Sequence, residues 1–239
     1  MKKTILIAGI SMLLLGCAEM TSVLNDANEV LNSPSGTSPL TNTEVISGLK
    51  EALSVGTNNS ISLTSKLDGF YKNPALFIPF PPAAIKVKEK VESLGLKNQV
   101  DKFVETLNRA AETASKEAAP IFLNAIRSMS IADGFSILSG GDNAATTYLK
   151  EKTSAQLRTK FNPVVKEAIT KVEVTKYWNP LINTYNKIPF IEKQNPDLED
   201  YVTRKAMDGL FFMIAKEEKK IRKDPLARVT DILKKVFSS

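Results

Sequence analysis

A few polar side chains in this chain have types and spacings that chemistry could use. From Ala206 to Ala215 the residues are apolar or small on every side of a helical wheel, except Asp208. A carboxylate in such a run is expected to be buried, and a buried charge needs a partner or shifts its pKa. Arg204, four residues earlier, and Lys205 are local partners; Arg109, from another helix, is a distant one. Glu105 and Glu112 stand four and three residues from Arg109, so the three share one side of a helix and can pair. Such a group suits a structural ion-pair cluster first, then a polar ligand pocket, and last a carboxylate pair for acid–base work. Gly140-Gly141-Asp142 reads as a turn between helices, with an anion nest at the new helix start as the second option.

Absences narrow the chemistry. There is no histidine, which excludes Ser-His-Asp and Cys-His nucleophile systems and histidine-bearing zinc sites. Cys17 is the single cysteine, so no disulfide can form within the chain. Gly140-Gly141 lacks the Gly-Lys-Ser/Thr ending of a phosphate-binding loop. The sequence therefore assigns no catalytic residue, no metal and no cofactor. Its 43% hydrophobic and 24% charged residues are ordinary for a globular protein, and argue against disorder overall.

The elements that position these groups follow a leader. Lys2 and Lys3 precede an apolar run, Thr4 to Leu15, too short to span a bilayer comfortably. Leu14-Leu15-Gly16-Cys17 then resembles the lipobox of bacterial lipoproteins, with Leu15 a minor departure. That resemblance implies a signal peptide over residues 1–16, removed before Cys17 is lipidated with palmitate-like acyl chains. Ala18, where Asp usually signals inner-membrane retention, points by the same resemblance to the outer membrane, facing the periplasm. Without residues 1–16 the chain keeps 30 basic and 26 acidic side chains, a charge of +4. That is far from a nucleic-acid footprint. The expected partners are the membrane, through the anchor, and an envelope protein or small ligand.

Residues 17–42 are expected to be the lipidated cysteine and a flexible linker, with Asn32 to Pro39 rich in Ser and Pro. Residues 43–239 are expected to form one domain. Thr43 with Glu44 opens a first helix, and Asp68-Gly69 and Asn73-Pro74 break the chain. Leu76 to Pro82 runs extended. Ile78-Pro79-Phe80 recurs as Ile188-Pro189-Phe190, as two pre-helical loops or a minimal strand pair. Ala83 to Leu94 is a helix stopped by Gly95. A long stripe follows from Asn98 to Met129, with a kink or break at 116–120 before Pro120. Ser130 and Asp133 cap a short helix; Asp142 caps the next, which Pro163 breaks or bends. Tyr177–Tyr185 and Arg228–Phe237 read as further helical pieces. Phe161, Trp178, Tyr201, Phe211 and Phe212 are expected in the core, and the charge run Lys216 to Lys223 as a solvated surface, with a membrane-surface contact as the alternative. The fold class is all-α: an irregular bundle around a buried C-terminal helix over about 200–223.

Several stretches together resemble the bacterial family known as domain of unknown function 4197. They are Gly48 to Leu53, Leu107 to Glu112, Gly140 to Thr146, Asp208 to Phe211 and Ile221 to Pro225. Asn143, where a second acid is expected, and Met207, where Leu is expected, depart from the pattern. The resemblance implies an exported, often lipid-anchored helical protein and brings no activity. The leading expectation is therefore non-enzymatic binding or structural support in the cell envelope. The next is a carrier of a small or lipidic ligand in an internal cavity, and the last a carboxylate-dependent hydrolase.

Overall fold

Short local signals start and stop most of the helices. The structure, a computed structural model, describes residues 40–93, 95–171 and 197–224, with residues 183, 186–187, 189–190 and 193. Helix α1 (Asn42–Ser65) opens on a capping box: Thr41 Oγ1 accepts from the Glu44 N–H, and the Glu44 carboxylate accepts from the Thr41 N–H. A 3-10 turn, Pro82–Ala84, leads into α2 (Ile85–Ser93). Just beyond α2, Gly95 takes φ +80°, a conformation open to glycine at no steric cost.

Helices α3 (Lys97–Ser115) and α4 (Ala118–Arg127) are the two halves of the long apolar stripe. The break at Lys116-Glu117 leaves Pro120 in the first turn of α4, where its missing N–H costs no helical bond. Helix α5 (Ile131–Ser139) starts at a second box, Ser130 with Asp133. Helix α6 (Ala144–Thr170) and helix α7 (Leu198–Lys223) follow. Asp197 caps α7 by accepting from the Asp200 N–H.

Of the break or bend expected at Pro163, the break does not occur, since α6 runs through it. Both Pro163 and Thr159, whose carbonyl loses its helical partner, are exposed, so solvent can satisfy that carbonyl. Asp142 does not cap α6 either. Asn143 occupies that position without a side-chain bond, while Asp142 pairs with Lys223 at 2.9 Å.

The described regular structure is all helical, with no strand among the described residues. Helix α7 packs against α1, α3 and α6, and buries Val202, Ala206, Leu210 and Ile214 among Phe103, Phe122 and Phe161. Phe122 meets Phe211 edge-on, with centroids 5.8 Å apart. Residues 66–81 have no regular structure, yet Phe70, Leu76, Ile78 and Phe80 all enter the core. The leader, Cys17, the linker up to residue 39, Trp178, Ile188, the Tyr177–Tyr185 stretch apart from Asn183, and Arg228–Phe237 lie outside the described residues. The last three residues of the expected linker, 40–42, are described and already include the cap and first residue of α1.

Candidate functional site

The apolar stripe of α3 buries Phe103, Leu107, Ala111 and Ala114. One residue further round the same helix, Asn108 and Glu112 are buried as well. Both face the irregular strap 66–81. Asn108 Oδ1 accepts from the Ile78 N–H at 2.8 Å, and its Nδ2 donates to the Ile78 carbonyl at 2.9 Å and to the Val104 carbonyl at 2.8 Å. Glu112 Oε1 accepts from the N–H groups of Phe70 and Tyr71 at 3.0 and 3.1 Å. Its Oε2 accepts from Arg109 Nη1 at 2.9 Å. An unpaired backbone group buried this deeply is costly, so these side chains replace the ladder the strap lacks.

Arg109 gathers the expected acids and one more. It donates to Glu105 at 3.2 Å and to Asp68 at 2.8 Å, and its guanidinium lies 5.0 Å from the centre of the Tyr71 ring. Burial works against its charge, but the hydrogen bonds it donates to Glu112 and Asp68 outweigh this and raise its pKa. Lys72 and then Arg109 hold the Asp68 carboxyl below its ordinary value. The sequence thus located Arg109, Glu105 and Glu112 as one group. It missed Asp68 and Asn108, although Val104, Asn108 and Ala111 keep the spacing of one helix side.

Asp208 does not join this group. It is exposed, and Arg204 pairs with Asp200 at 2.7 Å instead. Among the described residues, α1, α3 and α6 pack on α7, and the stripe they leave uncovered carries Asp208 and Phe212, which is 51% exposed. The expectation of a helix without a solvent face fails at that stripe. Phe161 and Phe211 are buried as expected, and Tyr201 is half-buried, its hydroxyl donating to the Pro79 carbonyl at 3.3 Å.

The buried acid of α7 is Glu218, from within the charge run. Its Oε1 accepts from the Ala145 N–H at 2.9 Å and from Arg222 at 3.0 and 2.9 Å. Its Oε2 accepts from the N–H and hydroxyl of Thr146 at 2.8 and 2.7 Å. Arg222 also donates to the Ile137 carbonyl at 2.9 Å. The first turn of α6 therefore does receive an anion, but the anion is Glu218, held by the residues just after Gly140, Gly141 and Asp142. A helix start favours such a charge through its free N–H groups and its dipole. The signal was present: Ile214, Glu218 and Ile221 are spaced four and three apart.

The space around these clips is small or open. An apolar cleft of about 20 Å³ beside Glu218, between α1 and α7, has room for about one water. An open groove of about 460 Å³ between α5 and α6 is lined by Asp133, Thr147, Tyr148, Glu151 and Lys152. Among the described residues, no group of three acids or cysteines is placed to hold a metal ion.

The family model described as protein of unknown function (DUF4197) matches residues 39–238. No curated protein and no solved structure matches the chain.

Proposed function

The chain belongs to the DUF4197 family, and we propose that it is a non-enzymatic, lipid-anchored domain of the cell envelope, facing the periplasm from the outer membrane. The observation that carries the non-enzymatic reading is the state of its buried acids. Glu112 and Glu218 each have both carboxylate oxygens occupied by donors of the fold. A general acid or base must present an oxygen to substrate, and these two carboxylates are buried and turned to donors of the fold. Their bonds tie a strap and a helix start to the core, which suits a rigid scaffold that works through its surface. Lys2, Lys3, the short apolar run and Gly16-Cys17 support the anchor, and Ala18 supports the outer-membrane address.

The test is mass spectrometry of the protein extracted from its own membranes. A mature chain beginning at an acylated Cys17 is expected, and Cys17→Ala is expected to release the protein from the membrane fraction. Unmodified full-length protein in the soluble fraction overturns the anchor. Native spectra of the same material reveal any retained partner or ligand. A stoichiometric small molecule there favours the carrier reading over the scaffold.

A further inference from the structure

The stripe that α7 leaves uncovered has a regular composition. Lys205, Asp208, Phe212, Lys216 and Lys219 follow one another at three or four residues, so they align on one side of the helix, and all are exposed. They extend over about 21 Å at the helical rise. Three cations of this helix outside the stripe have acidic partners: Arg204 pairs with Asp200, Arg222 with Glu218 and Lys223 with Asp142. Among the described residues, Lys205, Lys216 and Lys219 form no ion pair. Phe212 stands between them with half its surface in solvent, whereas its neighbour Phe211 is buried.

We propose that this stripe docks against an anionic phospholipid bilayer. The lysines meet headgroup phosphates, and the Phe212 ring enters the interface between headgroups and acyl chains. Three lysines against one aspartate give a net positive strip complementary to an anionic surface, to which each lysine adds attraction. Long lysine stems let the ammonium groups reach outward while their methylenes lie beside the ring. An aromatic ring flanked by cations is the composition that settles at a membrane interface. The anchored reading explains why a bilayer is at hand, but the docking itself needs no acyl chain, so the two can fail separately.

The experiment uses the chain from residue 17 onward with Cys17→Ser, which removes the anchor. It is mixed with phosphatidylcholine vesicles, with or without phosphatidylglycerol, and sedimented. Binding is expected only with phosphatidylglycerol, and is expected to weaken as salt rises past about 0.15 M. Replacing Lys205, Lys216 and Lys219 by Gln should lower the partition constant about fivefold for each lysine. Phe212→Ser should lower it about tenfold. Lys102→Gln, on α3, is expected to leave it unchanged. Thermal melts check that each variant is folded. If the triple variant is not, Lys216→Gln alone replaces it, with a single fivefold loss expected. Equal binding by wild type and the Lys variants, or no binding at low salt, overturns the proposal. So does a wild-type dimer that Phe212→Ser dissolves, since a second copy would then cover the stripe.

Discussion

The side-chain amide of Asn108 pairs with the main chain of Ile78 as a neighbouring strand would, accepting at 2.8 Å and donating at 2.9 Å. One residue from a helix thus supplies both partners that an extended residue needs. Asn108→Ala leaves the Ile78 N–H and carbonyl buried without partners, and is expected to destabilise the fold by about 3 kcal/mol. Denaturant melts check this. An unchanged midpoint means the strap is held by its apolar side chains alone.

At the other clip, Glu218→Ala removes the acceptor for Ala145, Thr146 and Arg222 together. Breaking a buried pair by removing one member is expected to cost about 3 kcal/mol, because the Ala145 and Thr146 N–H groups and the Arg222 guanidinium all lose a buried acceptor. The double variant Glu218→Ala/Arg222→Met is expected to recover part of that loss. Amide exchange should show the damage concentrated in the first turn of α6, at Ala145 and Thr146. Uniform loss of protection instead counts against the local clip.

Two helical glycines should answer differently to alanine. A Cβ at Gly209 meets the Phe70 ring at 2.7 Å, and Phe70 is locked in the core by the strap. A Cβ at Gly134 meets the Cδ1 tip of Ile46 at 2.2 Å, which can swing away, while Ile46 Cγ1 at 3.4 Å and Leu49 Cδ2 at 3.5 Å are ordinary contacts. Gly209→Ala is expected to destabilise by about 2 kcal/mol. Gly134→Ala should be near neutral, as helix propensity gained offsets the side-chain shift. Melting midpoints of the two variants decide the matter.

Acid should weaken the fold through several surface carboxylates. Hydrogen bonds from Lys72 and Arg109 hold Asp68 below its ordinary 3.8, and Lys223 does the same for Asp142. Burial raises the Asp200 carboxyl, but hydrogen bonds from Arg204 and Arg158 outweigh it and lower the pKa. Each folded pKa lies below the unfolded one. Their contribution is therefore complete above about pH 5 and lost as pH falls through 4 and below. Melts from pH 7 to 3 should be flat down to about pH 5 and then decline. Asp200→Asn should decline less steeply, and an equal slope contradicts its role.

Sequence alone reached the parts of this molecule that are local. The Ser130–Asp133 box, the glycine at 95 and the break before Pro120 depend on neighbours within four residues, so their chemistry is written in order. Helix α7 was located by its apolar run, but the run could not show where its covering stopped. Asp208 and Phe212, one turn apart, mark that gap, and the phenylalanine disguised it. Glu218 was hidden in the opposite way, as one acid among lysines, although it keeps register with Ile214 and Ile221. Asn108 was on a buried side and readable as such. That its partner would be Ile78, thirty residues earlier, depends on how the strap folds back, which no local pattern records.

Residues 66–81 look like a place to cut the polypeptide or to splice in a tag, having no helix or strand. With Phe70, Ile78 and Phe80 anchored inward and the amides of Phe70, Tyr71 and Ile78 claimed by Glu112 and Asn108, the segment should instead resist trypsin as stubbornly as the rods around it, Lys66 and Lys72 notwithstanding. A foreign epitope belongs elsewhere, for instance at the exposed Gly141 between α5 and α6, where no neighbour stands within 4 Å of a new side chain.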